Sequence, residues 1–461
     1  MNQLPTDNYK LLTQAPVGRA VRQMAWPAVL TMLTTSFYNM ADTCFVGRID
    51  TQSTAAVGVA YAAMCVVQAV GFFFGHGSGN YISRQLGARQ TDEARRMARA
   101  GVLASLVVGL LLGVAGLMAL PWLCRLLGAT PTVMPPTMTY LGIVLLATPM
   151  MTASMTLNNQ LRFCGSARLA MRGVMVGAGV NLVLDPLLIF VFDWGLTGAA
   201  WATFIGQTAG FAMLWYYARR HADLQIRLRF NLLARAYIIE MVRGGSPSLM
   251  RQGLASVSVA WLNVAAGVYG DAAIAGMSVV GRISFFLYAV VVGLGQGFQP
   301  LCGFCYGAGL YRRVKAGFAY CVRVGTVFLT VCALLAWPLA EPAVALSRDE
   351  AEVVAVGASA LRWQLLAWPL IPFIVLTNMY LQTIGSAVRA NLVAAARNGL
   401  FFLPLIVWLP SVWGRTGVEC CQALSDVCSF ALALPVCLGA FRAMMRRGRP
   451  SEPEGRLLKK T

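Results

Sequence analysis

The segment FYNMADTCFVGR, residues 37–48, places one carboxylate, Asp42, inside an otherwise apolar stretch. A charged side chain at bilayer depth costs roughly 3 kcal/mol on insertion scales, so a chain that keeps one there gives it work. A second carboxylate, Asp185, sits in NLVLDPLLIF. Asn181 precedes Asp185 by four residues, and Tyr38 stands in the same relation to Asp42. On a helix, residues four apart share a face. Thr203, in GLTGAAWATF, adds a hydroxyl. Pro186 lacks an N–H and frees the carbonyl of Leu182 one turn earlier. All of these are oxygen donors. Brought together in a low dielectric, two carboxylates make a place for a proton, and the same oxygens suit a small hard cation.

The rest of the chain decides whether these residues are in a membrane. Of 461 residues, 58% are hydrophobic and 12% charged, and the mean hydropathy is +0.64. Soluble domains carry about 25% charged residues, so this is an integral membrane protein. The first 22 residues are polar and basic, with Lys10, Arg19 and Arg22 and no apolar run ending in a cleavage site. The first apolar helix is therefore expected to remain as a span.

Runs of about 20 apolar residues predict twelve spans, near 23–47, 53–82, 98–121, 134–157, 168–192, 196–218, 246–269, 272–304, 315–339, 353–381, 387–410 and 414–441. With both termini cytoplasmic, 30 of the 37 Lys and Arg fall on the inner side, among them Arg162 and Arg397, and six on the outer side; Arg251 lies within a span. That asymmetry sets the expected orientation. It also accounts for the net charge of +19 without nucleic acid as a partner. The bilayer itself is the expected surroundings.

The chain repeats itself. Pro27 recurs as Pro247, FGHG (Gly75, Gly77) as LGQG (Gly295, Gly297), Pro149 as Pro369, Asn158 as Asn378, and GSA at Gly165 as GSA at Gly385, every pair in the same register. WGLTG from Trp194 recurs as WGRTG from Trp413, one residue off that register. The expected fold is therefore all-α: two homologous six-helix lobes, residues 1–230 and 231–461, the second with a basic tail. Six spans per half make these parallel repeats about an axis along the membrane normal. Such transporters bind substrate between the halves and work by rocking them.

Span limits also give depth, at ~1.5 Å per residue. Asp42 comes out about 10 Å outside the midplane, Asp185 about 7 Å and Thr203 about 6 Å by the same rise. The first-half donors thus share one layer.

The stretches MAWPAVLTMLTTSFYNMADTCFVGR, STAAVGVA, SRQLGARQTDEAR, GSARLAM, NLVLDPLLIF and GLTGAAWAT resemble the multidrug and toxic compound extrusion (MATE) transporters. The similarity is to the bacterial branch of damage-inducible-F-type and staphylococcal-type efflux pumps, and it covers Arg19 to about Arg447. The resemblance implies an antiporter that expels cationic, aromatic small molecules in exchange for H⁺ or Na⁺, with no cofactor, acting as a monomer. It also implies that Asp42, Asn181, Asp185 and Thr203 form the cation or proton site of the first lobe, and that Tyr140 and Asn158 match further polar positions there.

The second half lacks this set. Asp42 aligns with Ala266 after a four-residue insertion, Asp185 with Leu405 and Thr203 with Gln422. It carries Asp426 instead, expected to form a structural ion pair with Arg282 or Arg362, since intramembrane charges of opposite sign usually pair; a second ion or substrate site there is the alternative. The glycines of FGHG and LGQG are expected to permit close helix packing; no Lys-Ser/Thr follows them, so they are not phosphate loops. The 12 Cys lie mostly in apolar segments without CxxC pairs, and His76 and His221 are the only histidines, so no metal centre is expected. An intramembrane enzyme would need an HExxH, a Ser/Lys dyad or a GxGD carboxylate pair, none of which is present. A channel would need a re-entrant filter motif. A lipid-linked-precursor flippase of the same superfamily is the alternative carrier; it favours a strongly cationic central cavity, which is not evident.

Overall fold

A backbone inside lipid finds no water to bond to, so it must close its hydrogen bonds within helices. The computed structural model describes residues 7–226, 234–346 and 350–447, and every regular element among them is helical. Twelve long elements follow in order. The first six are α1 Val17–Val46, α2 Thr51–Gly87, α3 Thr91–Met118, α4 (Met134–Leu146 and Thr148–Phe163), α5 Ala167–Val191 and α6 Gly195–Arg220. The second six are α7 Arg235–Gly267, α8 Asp271–Gly307, α9 Tyr311–Ala336, α10 Ala351–Thr383, α11 Ala387–Trp413 and α12 Arg415–Arg447.

All twelve predicted spans fall on these elements. Eight are long and apolar enough to cross a bilayer by composition alone, or nine with the α4 pair, which bends by 50°. The bend falls at Pro149, and its counterpart Pro369 lies in a 3₁₀ turn, Trp368–Leu370, inside α10. The three elements that fall short are α1, α6 and α7. Each carries polar residues in its middle: Thr34, Thr35 and Ser36; Thr203 and Gln207; Arg251, Ser256 and Ser258. The polar residues that lower their hydropathy include those a site would need.

The basic linker is shorter than Arg219–Arg243, because α6 runs to Arg220 and α7 begins at Arg235. The expected lobe boundary at residue 230, Arg227, Arg229, Arg348 and the tail from 448 lie outside the described residues.

Helix packing follows the repeat. Within the first lobe α1 lies on α5, α2 on α3 and α4, and α5 on α6; within the second, α7 lies on α11, α8 on α9 and α10, and α11 on α12. Between lobes, α1 meets α8 and α2 meets α7, a pair of contacts related by the pseudo-two-fold, and α2 meets α8 near the axis. The symmetry reaches single residues. A methyl group added to Gly87 would lie 2.2 Å from the carbonyl oxygen of Phe304, and one added to Gly307, its repeat counterpart, would lie 2.0 Å from that of Arg84. Gly87 and Gly307 let the two backbones touch reciprocally, as in an isologous interface.

The first and last described segments meet the same end of the bundle. Arg313 Nε donates to the Leu12 carbonyl at 3.0 Å, and Arg447 Nη1 to the Tyr306 hydroxyl at 3.2 Å. At this basic end the lobes are shut. Arg84 of α2 pairs with Glu240 of α7 at 3.0 Å, Tyr237 of α7 donates to Glu93 of α3 at 3.0 Å, and residues 295–305 of α8 are buried without interruption. Toward the opposite end the same helices lose their cover: Tyr61 and Val66 on α2 and Phe285 and Phe286 on α8 are exposed. Phe37 of α1 meets Phe286 edge-on at 6.1 Å. The two lobes are joined closely at the basic end, and the same helices are less covered toward the other.

Candidate cation and proton site

The first lobe positions the predicted residues. Asn181 and Asp185 lie one turn apart on α5, and both are buried, as are Thr203 of α6 and Tyr140 of α4. The α-helical part of α5 ends at Pro186, and a π-helical turn, Leu187–Val191, completes it. Such turns recur at functional sites. Asn181 Nδ2 lies 3.4 Å from Asp185 Oδ1 and 3.5 Å from Thr203 Oγ1, both at the long limit for a hydrogen bond.

Thr203 is the hub of the group. Tyr38 lies near Thr203 and Gln207, and Tyr140 near Thr203. Asp42, on the part of α1 away from the basic end, lies near enough to Asp185 for its charge to act there. Asp42, Tyr38, Tyr140, Asn181, Asp185 and Thr203 thus meet within one lobe. Gln207 escapes the sequence reading, although it stands one turn after Thr203, the same spacing that links Asn181 to Asp185.

Three oxygens in this group are buried and make no hydrogen bond among the described residues: Asp42 Oδ1, Asn181 Oδ1 and Asp185 Oδ2. A buried polar atom left unmade costs about 1–3 kcal/mol, and more for a charged group. Protons or a hard cation among those oxygens would satisfy them. The set contains carboxylate, amide and hydroxyl oxygen and no sulfur or imidazole. It fits Na⁺ or H⁺ rather than a soft transition metal. Among the described residues no cluster of three or more His, Cys, Asp or Glu forms a metal-binding group.

Asn158 does not join the group. Its Nδ2 donates to the Ala170 carbonyl at 3.0 Å and ties α4 to α5. Asn378 does the same to Ala390 at 2.8 Å, so the residue is a structural element of the repeat.

In the second lobe Ala266 is fully buried and Gln422 donates to Asp426 at 3.2 Å. Asp426 does pair with an arginine, but with Arg397 rather than Arg282 or Arg362. Arg397 Nε and Nη2 reach its two carboxylate oxygens at 2.6 and 3.3 Å. Arg362 pairs with Glu341 at 3.0 Å, and Arg282 is exposed. The charge distribution alone assigns Arg397 to the inner membrane edge. It lies instead ten residues into α11, about 15 Å along the helix at its usual rise, on a π-helical turn, Ala396–Leu400, with its guanidinium over the Tyr288 ring at 4.9 Å. A second buried acid, Glu419, accepts from Ser359 at 2.6 Å and pairs with Arg415 at 3.1 Å; sequence reasoning passes over it.

Two stretches of the chain, residues 27–187 and 247–408, each match the family model MatE. The chain belongs to the MatE family. The matches begin at Pro27 and Pro247, a pair of the internal repeat. Among curated relatives, the chain is 24% identical to the multidrug export protein MepA of Staphylococcus aureus (strain MSSA476) over 428 residues, 92% of this chain and 94% of that one. It is 26% identical to the MepA of Staphylococcus haemolyticus over 420 residues, 90% and 92% of the two chains. Among solved structures it resembles the outward-facing conformation of a multidrug resistance MATE family transporter, with a TM-score of 0.90 at 23% identity, covering 96% of this chain and 100% of that one. A transporter of the same superfamily from Pyrococcus furiosus gives 0.89 at 21% identity, with the same coverage. The fold of this MatE chain is thus the twelve-helix, two-lobed one.

Proposed function

We propose that this chain is a secondary antiporter that exports cationic, aromatic small molecules in exchange for H⁺ or Na⁺. The observation that carries the reading is the set of unsatisfied buried oxygens on Asp42, Asn181 and Asp185, present in one lobe and replaced in the other. An ion drives transport only if it favours one conformation over another. Oxygens from α1 and α5 can supply that bias, because α1 also packs on α8 of the opposite lobe and its position changes when the lobes rock. The MepA relatives, named as multidrug exporters, support the choice of cargo.

The orientation belongs to the same proposal. Both termini face the cytoplasm of a bacterial inner membrane, as the Lys and Arg distribution argues, so the basic end of the bundle faces inward. The working unit is a single chain.

The test uses everted vesicles containing the protein, energised separately by a proton or a sodium gradient and scored with a fluorescent cationic dye. Gradient-dependent dye movement with one ion supports the reading and names the ion. Purified, folded protein that moves no cationic aromatic compound under either gradient overturns it. Translocation of a labelled lipid-linked precursor in the same liposomes would turn the assignment to the flippase.

A further inference from the structure

A cavity of about 720 Å³ opens on the side of the bundle, between α1 of the first lobe and α8 and α9 of the second. Its wall is apolar, with Pro27 and Val29 facing Val291, Leu294 and Phe328. At its basic end it is rimmed by three arginines, Arg19 and Arg22 of α1 and Arg168 at the start of α5. All three are exposed. Among the described residues no carboxylate pairs with any of them. Trp26, 67% exposed, stands at the same mouth, where indole rings favour the headgroup level.

From Arg19 to Val29 the groove runs about 15 Å along α1 at the helical rise, half of a hydrocarbon core about 30 Å thick. It therefore starts at the membrane surface and stops near the midplane. We propose that this groove is a binding site for an anionic glycerophospholipid of the cytoplasmic leaflet, with its phosphate between Arg19, Arg22 and Arg168 and an acyl chain along Pro27, Leu294 and Phe328.

The ordinary explanation for such arginines is that they only fix orientation. The repeat argues against it. The positions equivalent to Arg19, Arg22 and Arg168 in the repeat register are Ile239, Val242 and Val388, and all three are exposed. The duplicated lobe keeps the fold and the same membrane depth with aliphatic residues there, so neither the fold nor the depth requires arginine. Three cations at the rim also repel a cationic drug, so the groove is not a second entry for the cargo. Basic pockets between membrane helices on the cytoplasmic side suit anionic headgroups. Because the groove has walls from both lobes, a lipid in it holds the basic end shut and favours the open-outward state.

The experiment is lipid titration of the purified full chain, read by native mass spectrometry. Phosphatidylglycerol and phosphatidylcholine are compared. The variants are Arg19→Gln/Arg22→Gln/Arg168→Gln and a control triple of exposed basic-end residues, Arg220→Gln/Arg312→Gln/Arg389→Gln. The wild type should hold phosphatidylglycerol in preference to phosphatidylcholine. The groove variant should lose phosphatidylglycerol affinity at least tenfold, and each single groove variant about fivefold, while the control changes by less than about twofold. The single variants decide the matter if the triple does not fold. Equal binding of the two lipids by the wild type, undiminished phosphatidylglycerol binding by the groove variants, or an equal loss in the control overturns the site. Dye transport is not read, so failure of the drug-export reading leaves the outcome intact.

Discussion

Arg162 of α4 donates through Nη1 to Gln296 Oε1 of α8 and so joins the two lobes. Its Nη2 holds Asn159 Oδ1 in its own lobe, and the side chain is buried. Gln296 is the repeat counterpart of His76, and Arg162 that of Gln382. The bridge therefore exists on one side of the pseudo-symmetry only, and it must break before the basic end opens. A hydrogen bond to a charged group contributes about 1.5–3 kcal/mol. Arg162→Gln should raise the population with an open basic end by about tenfold. Cys302 and Cys305, fully buried between the lobes, report it. Their maleimide labelling, resolved by mass spectrometry, should rise in the variant while that of Cys420 and Cys421 stays low. Equal labelling in variant and wild type would mean the bridge does not hold the lobes together.

Asp42→Asn or Asp185→Asn should each abolish gradient-driven transport without lowering the melting temperature. Removing an ionisable group takes away a place for the coupling ion, yet it also removes the cost of burying a charge. Proton or sodium uptake on drug addition to proteoliposomes, beside a thermal-shift assay, checks both halves of this expectation. Retained ion uptake in both variants would put the site elsewhere.

The repeat made much of the fold legible. Matching residues in one constant register predicted the two lobes; the paired breaks at Pro149 and Pro369 and the twin amide contacts of Asn158 and Asn378 fall on pairs of that register but were not foreseen. Hydropathy was less informative at α1, α6 and α7, because helices that turn polar residues toward one another inside the bundle lose average hydrophobicity. Depth grouped Asp42, Asp185 and Thr203, helical spacing added Asn181, and the family resemblance named the four as a site. Asn158 could not be excluded that way, because the sequence does not say which face of α4 it occupies. Arg397 was misplaced because the charge count grouped it with the inner-edge residues, although it lies ten residues inside the predicted span 387–410 and α11 does begin at Ala387.

Asp426→Asn should behave as a structural variant. It strands the Arg397 guanidinium, whose partner Asp426 is buried. Breaking a buried pair from one side costs on the order of 3–5 kcal/mol. Low expression and a lowered melting temperature are the expected results. The double variant Arg397→Met/Asp426→Leu should recover most of that loss, since replacing both charges leaves neither unpaired. A stable Asp426→Asn protein that binds drug but moves no ion, with Asp42→Asn and Asp185→Asn still coupled, would relocate the ion site to the second lobe.

The last prediction concerns pH and lies outside the membrane, at the turn after α6. The backbone N–H of Asp223 donates to His221 Nδ1 at 3.2 Å, so the ring proton sits on Nε2, which donates to Ser166 Oγ at 2.8 Å. Asn8 Nδ2 donates to the same Ser166 oxygen at 3.0 Å, tying the N-terminal helix to this turn. Burial pushes the His221 imidazole below its ordinary value, and the neighbouring Asp223 carboxylate opposes that without cancelling it. Arg95, which donates to the Ala222 carbonyl at 2.8 Å, faces the same turn and disfavours a further positive charge. A proton added to Nδ1 would also displace the Asp223 N–H. The unfolded chain takes up a proton as pH falls through about 6.5, and the folded chain does so only at lower pH. The stability His221 contributes is therefore complete above about pH 6.5 and is lost as pH falls toward the folded value. Asp223, whose carboxyl burial pushes up, works in the opposite direction, starting from the carboxylate range. Melting temperatures of the purified protein between pH 8 and 5 should fall, and His221→Gln, whose amide can still donate to Ser166, should flatten that slope. Identical pH profiles for the two proteins would show that His221 is not held neutral by the fold.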